Sequence, residues 1–263
     1  MTDIKFLATD FDGTLSSPQT DNLAAMLEFR HLLFRCRSSF QTRWAVITGR
    51  HVECLEELAT ELAMQGLCPD YLVMEDACIF KRHSGRYSSY WWWNFTVGRR
   101  RVKQLAAYRG RVQALLDETL VRYPGTENLA ERRIMDFWLR FRNEADAAVV
   151  EQYLLKEFAG VREMFVFRWG REVCLAPTAG TKGEAVQKLA AEIGIGREGI
   201  VTIGDGQNDI SMLDGSCASR PAAVANATPE VIATVKRAGG YLAEKPCVQG
   251  VVETLRTFTG WSR

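Results

Sequence analysis

The sequence has seven cysteines but no C-x-x-C pair, only three histidines, and no apolar run long enough to span a bilayer. An odd, scattered set of thiols (Cys36, Cys54, Cys68, Cys78, Cys174, Cys217, Cys247) argues against a disulfide framework or a four-thiolate zinc site, and for a reducing compartment. His31, His51 and His83 form no metal-ligand grouping and read as structural or surface residues. An excess of one charge is missing too. Lys and Arg number 33 against 32 Asp and Glu, a net charge of +1, so no global field draws the chain to nucleic acid or a membrane. The opening MTDIKFLATDFDG has early acids and no basic-then-apolar leader, so the cytoplasm is the expected compartment. Internal repeats and low-complexity tracts are absent. What remains is a chain of 263 residues, 47% apolar and 25% charged, able to bury a core without covalent staples.

Two textures run along it. Residues 4–9 are a short apolar run ending in acids and a glycine, which reads as a buried strand. Ser17-Pro18 opens a helical stretch to about Arg35, with Leu23, Met26, Leu27 and His31 at helical spacing. Residues 44–48 and 71–74 repeat the strand signal around a helix-like run ending near Met64. This alternation predicts a parallel sheet covered by helices, its strand C-termini collected on one edge. After residue 80 the pattern changes to hairpins and helices. Strands at 79–82 and 86–93 flank His83-Ser84-Gly85, a helix runs from about 99 to 122, and a strand covers 134–141. Asn143 then caps a helix, and strands at 164–168 and 172–176 join through Trp169-Gly170-Arg171. From Thr178 the first texture returns, with Thr181 capping a helix that ends at Gly194, then a strand at 199–203. The prediction is an α/β core of residues 1–80 and 177–263, split by an α+β insert of residues 81–176.

Asp10-Phe11-Asp12-Gly13-Thr14 directly follows the first strand. Two carboxylates two residues apart at a strand end repel each other, and a hard divalent cation such as Mg²⁺ relieves that. Gly13 allows a sharp turn that can present backbone N–H groups to an anion, although Asp-Gly is equally a plain turn signal. Gly204-Asp205-Gly206-Gln207-Asn208-Asp209 repeats the arrangement after a later strand. If those two strands are neighbours, Asp10, Asp12 and Asp205 meet at one cation, on the edge where open α/β sheets bind ligands. A turn followed by a helix cap is the alternative. Thr48-Gly49-Arg50 ends the second strand and offers a hydroxyl and a backbone N–H to a phosphate oxygen. Lys182 lies in the first turn of a helix, against the dipole. An anionic partner explains that placement, and so does a solvated surface lysine.

In this order, DFDGT at 10–14, Thr48 with Gly49, Lys182, and GDGQND at 204–209 resemble the four motifs of haloacid dehalogenase superfamily phosphohydrolases. The chain looks like the branch with a large α+β cap between motifs two and three, which includes Cof-type sugar phosphatases and sucrose-phosphate phosphatase-like enzymes. PTAGTKGEAVQKL at 177–189, IVTIGDGQNDISML at 200–213, VANATPEV at 224–231 and QGVVETL at 249–255 carry the resemblance across both core halves. The insert resembles the branch in layout more than in residues. Glu75-Asp76-Ala77-Cys78 departs from it, since many relatives have Glu-Asn-Gly-Ala at this turn.

The resemblance implies a Rossmann-like core with a specificity cap, and Mg²⁺-dependent hydrolysis of a small phosphorylated metabolite, best a sugar phosphate. It implies Asp10 as the nucleophile that forms an aspartyl-phosphate, and Asp12 as acid and then base. Mg²⁺ is expected on the Asp10 side chain, the Asp12 carbonyl and Asp205. Thr48, Gly49, Arg50, Lys182 and Asn208 are expected on the phosphate oxygens, with Asp209 supporting Lys182 or a metal-bound water rather than ligating directly. Phosphomannomutase-like relatives share DxDGT, but their last acidic motif usually carries extra glycines that GDGQND lacks, which favours hydrolase over mutase. A catalytically silent phospho-ligand-binding protein is the third reading, and the presence of every acid, the threonine and the lysine speaks against it.

Within the insert, Tyr90-Trp91-Trp92-Trp93-Asn94-Phe95 reads as an alternating strand with Trp91 and Trp93 on one face. That face either packs under helices or stacks on a sugar ring. Arg99-Arg100-Arg101-Val102-Lys103 reads as a solvated helical turn or an attractor of anionic substrate. Arg168 and Arg171 lie at a hairpin tip and are the candidate specificity residues of the cap.

Overall fold

The computed structural model describes residues 3–16, 23–130 and 137–261. The helix start expected at Ser17-Pro18 and the first residues of the strand expected at 134–141 lie outside them. In chain order the elements begin with β1 (Phe6–Thr9), α1 (Leu23–Phe40), β2 (Arg43–Ile47), α2 (Leu55–Met64) and β3 (Tyr71–Met74). Next come β4 (Cys78–His83), β5 (Arg86–Ser89), α3 (Trp91–Arg122), β6 (Glu127–Asn128), β7 (Phe137–Arg140), α4 (Glu144–Glu157), β8 (Met164–Trp169) and β9 (Glu172–Pro177). The chain closes with α5 (Lys182–Ile193), β10 (Ile200–Gly204), α6 (Ile210–Leu213), β11 (Arg220–Ala223), α7 (Pro229–Arg237), β12 (Tyr241–Leu242) and α8 (Cys247–Thr259).

Residues 1–94 and 181–263 form one compact unit. Its sheet runs in the order β12-β11-β10-β1-β2-β3-β4-β5, parallel from β12 to β3 and antiparallel beyond. All four residues of β1 are buried, as a central parallel strand requires. Alternation sends Leu7 to a core with Phe29, Trp44 and Val251, and Phe6 and Ala8 to a second core with Val186, Leu189 and Val235. Helices α1, α2 and α8 therefore cover one face, and α5, α6 and α7 the other. Because β1 lies between β10 and β2, with β3 next, the loops leaving these four strands share one sheet edge.

Residues 95–180 form a second compact unit around an antiparallel sheet of order β6-β7-β9-β8. Leu105, Val112 and Leu116 of α3 and Val150 and Leu154 of α4 pack with Phe137, Leu139, Val173 and Leu175 of the sheet. The expected start of α4 holds: the Asn143 side chain accepts from the Asp146 N–H at 2.9 Å.

Two expectations are corrected. The insert does not begin at residue 81, because β4 pairs with β3 and the β4–β5 hairpin extends the core sheet. The second unit spans 95–180 rather than 81–176. The aromatic segment is a helix and not a strand. β5 ends at Ser89, and the next turn is fastened over β4, where the Asn94 side chain bonds both the N–H and the carbonyl of Ile79 (2.8 and 2.9 Å). The Trp93 indole N–H donates to the Ala77 carbonyl at 2.9 Å, and its ring packs on the core. Trp91 and Trp92 stay 68% and 65% exposed, so Trp91 and Trp93 do not share a face. An unbroken aromatic run has no period of its own, and these side-chain bonds decide it.

Candidate active site

The loops at the shared sheet edge bring together Asp10 and Asp12 after β1, Thr48 to Arg50 after β2, Asp76 after β3, and Asp205 to Asp209 after β10. Lys182 joins them from the first residue of α5. Thr181 caps that helix, its hydroxyl accepting from the Glu184 N–H at 3.2 Å. Gly183 lets α5 approach α6, because a Cβ there would fall on the Ser211 carbonyl oxygen. The close approach carries Lys182 fully out of solvent.

The Lys182 ammonium lies 2.6 Å from Asp10 Oδ1, 2.5 Å from Asp209 Oδ1 and 3.9 Å from Asp76 Oδ1. Burial would push its pKa down, but Asp10, Asp209 and Asp76 outweigh that and hold it well above the ordinary lysine value. It is not a solvated surface lysine. Burial, reinforced by Asp209, raises the Asp10 carboxyl well above the usual range in spite of Lys182. Burial, and again Asp209, pushes Asp205 up to about 6. Asp209 spends both oxygens inside the protein: Oδ1 on Lys182, and Oδ2 on the N–H groups of Asp205 and Gly206 at 2.8 and 2.9 Å. Carboxylate oxygens of Asp10, Asp205 and Asp209 all lie within 4.8 Å of one another.

Gly13 closes the first loop at φ 84°, and a Cβ there would strike the Asp205 carboxylate. Thr14 donates its hydroxyl to Asp205 Oδ1 at 2.8 Å, and the Asn226 amide reaches the Gly13 carbonyl at 2.8 Å. Thr14 and Asn226 went unnoticed in the sequence, although both sit inside the passages that carry the resemblance.

Asp12 faces the β2 loop. Arg50 grips it side-on, Nη2 to Oδ1 at 2.6 Å and Nε to Oδ2 at 2.9 Å, and reaches Glu61 at 3.2 Å. Its guanidinium also lies over the Phe11 ring, 4.7 Å from the centroid. Burial would lower the Arg50 pKa, and the Asp12 bonds more than offset it. Arg50, expected on phosphate, is thus committed to two carboxylates. Thr48 is buried and donates to Asp12 Oδ2 at a long 3.4 Å. Asn208 donates its amide to Asp76 Oδ1 at 3.0 Å. In the second unit, Arg168 bonds Glu151 at 2.9 Å and the Gly170 carbonyl, and Arg171 bonds the Arg142 carbonyl at 3.4 Å, so both guanidinium groups brace their own unit.

Buried carboxylates around one lysine, at the C-terminal edge of this strand order, are the arrangement that the resemblance to the haloacid dehalogenase superfamily implies. The model of the sucrose-6F-phosphate phosphohydrolase family matches residues 4–259, and the chain belongs to that family. Among solved structures, the sucrose-phosphatase of Synechocystis sp. PCC6803, crystallised with sucrose and phosphate, superposes with a TM-score of 0.70. It is 22% identical, over 98% of this chain and 99% of that one, a likeness that speaks for the fold. The haloacid dehalogenase-like hydrolase yhjK of Bacillus subtilis gives 0.61 at 15% identity, over 99% and 94%. A phosphoglycolate phosphatase of Methanothermobacter thermautotrophicus is 31% identical over 96 residues, 36% of this chain. The match spans 41% of that relative's length. Among the described residues no helix is long and apolar enough to cross a membrane.

Proposed function

We propose that this chain hydrolyses small phosphate monoesters of sugars, sucrose 6F-phosphate among them, in a Mg²⁺-dependent reaction. The observation that carries the reading is the buried Lys182 ammonium held between Asp10 and Asp209, with Asp205 alongside. The donor set suits a hard divalent cation. Lys182 alone leaves Asp10 and Asp205 with raised pKa values, an excess of buried negative charge that such a cation relieves. Asp209 has no oxygen to spare, so Asp10, Asp205 and the Asp12 carbonyl are the groups that would hold Mg²⁺. Bound there, it would neutralise charge on the phosphoryl oxygens.

The chain's own residues do the rest. Asp10 attacks phosphorus, forming an aspartyl-phosphate as the bond from phosphorus to the sugar oxygen breaks. Asp12 gives the leaving oxygen a proton, then takes one from the water that attacks phosphorus and frees Asp10 and inorganic phosphate. Arg50 fixes the Asp12 carboxylate while Thr48, the Gly49 N–H, Asn208 and Lys182 orient the transferring oxygens. The unit of residues 95–180 selects the sugar in this reading, with Arg168 and Arg171 as its candidate specificity residues. Seven free thiols support a cytoplasmic setting. Phosphate release from a panel of sugar phosphates, with and without Mg²⁺, tests the proposal. Asp10→Asn abolishes release; turnover at the wild-type rate in that variant overturns the mechanism.

A further inference from the structure

The turn after β3 puts a carboxylate where the proposed reaction asks for none. Glu75 and Asp76 both take left-handed φ values, 49° and 64°, a costly conformation for two consecutive side-chain-bearing residues. Two backbone bonds hold it: the Glu75 N–H donates to the Arg50 carbonyl and the Asp76 N–H to the Thr48 carbonyl, each at 2.9 Å. The turn is thereby clipped onto the Thr48–Arg50 loop. Asp76 Oδ1 accepts from Asn208 at 3.0 Å and lies 3.9 Å from the Lys182 ammonium. A Cβ built on Gly49 would sit 3.5 Å from Asn208 Nδ2 and 3.6 Å from Asp76 Oδ1. The Gly49 backbone therefore runs beside this one carboxylate, and two of the groups assigned to the phosphate oxygens, Lys182 and Asn208, face it. It repels an oxyanion and competes for the same donors, one of which Asp10 and Asp209 already share.

We propose that Asp76 sets how tightly the site holds phosphate, weakening capture of the oxyanion so that product phosphate leaves a donor-rich cradle. The inference rests on the phosphatase reading and adds to it a residue that tunes binding without joining the bond-making steps. Asp76→Asn removes the charge, keeps an acceptor for Asn208, and suits the left-handed turn. Competitive inhibition by inorganic phosphate is measured on the full chain with Mg²⁺ and an aryl phosphate, for wild type and variant. In Asp76→Asn the inhibition constant falls by about tenfold or more, the scale of one nearby unit charge in a partly buried site, and KM falls with it. A merely structural role moves both constants the other way, because a damaged cradle binds worse. Asp76→Gly, which also accepts a φ of 64°, gives the same sign and serves if the first variant does not fold. Hydrolysis with an unchanged or raised phosphate constant overturns this inference alone. Absence of Mg²⁺-dependent hydrolysis in the wild type overturns the phosphatase reading, and the inference with it.

Discussion

Replacing Lys182 by methionine keeps an unbranched side chain one atom shorter and deletes its charge. The ammonium has no solvent exposure and contacts Asp10 and Asp209 at 2.6 and 2.5 Å, with Asp76 at 3.9 Å. Removing one partner of a buried ion pair costs about 3–5 kcal/mol, because the other is left charged and unpaired. In a chain of this size that lowers the melting temperature by about 6–20 °C. The cost depends on pH, with a sign fixed by Asp10. Its carboxyl is already raised by burial and Asp209, and it rises further once Lys182 is gone. The folded variant then binds a proton more tightly than its unfolded chain, so stability drops as pH climbs above the unfolded value of about 4 and on through the raised folded one. Wild-type Asp10 is itself raised, so both proteins lose stability in this way, and the deficit widens with pH only between their two folded values; it is never smaller at pH 7.5 than at pH 5. Urea unfolding of both proteins at the two pH values, in chelator so that metal binding does not intervene, measures this. A deficit under about 1 kcal/mol, or one larger at pH 5 than at pH 7.5, refutes the role of Lys182 as the buried counter-charge.

Two further outcomes follow from the same geometry. With its carboxyl at about 6, Asp205 must shed a proton to take a metal, so Mg²⁺ affinity by calorimetry weakens below pH 6; affinity that is flat from pH 5 to 7.5 counts against Asp205 as a ligand. Gly183→Ala pushes a Cβ onto the Ser211 carbonyl, costs about 1–3 kcal/mol of stability, and lowers turnover by displacing Lys182; a variant with wild-type melting temperature and rate shows that α5 and α6 need not meet so closely.

The core was legible because its signals are local and its topology restricted. Residues 4–9 read as a buried strand from composition alone, and Thr181, Asn143 and Gly194 announced helix ends through the bonds and backbone angles they permit. The edge of the insert was not legible, because the β4–β5 hairpin carries the same alternation whether it extends the core sheet or starts another. Only pairing with β3 settles that, and pairing is not a local property. The aromatic run at 90–95 failed for a related reason: Asn94 and Trp93 reach back to Ile79 and Ala77, contacts that no periodicity announces.

At the site, the motifs named the residues but not how their charges are spent. Arg50 looked like a phosphate ligand from its place in Thr-Gly-Arg, yet Asp12, 38 positions earlier, claims two of its nitrogens. Asp209, expected beside Lys182, spends its oxygens on that ammonium and on two backbone N–H groups, which leaves Asp10 and Asp205 to carry the uncompensated charge. Asp76 appeared only as a departure at a turn, and the structure puts it against Asn208 and near Lys182. A chain balanced to +1 overall thus holds five carboxylates around one buried lysine and one clamped arginine. That local imbalance is what a divalent cation and a phosphate ester, bound together, bring back toward neutrality, and it makes the affinity for each depend on the presence of the other.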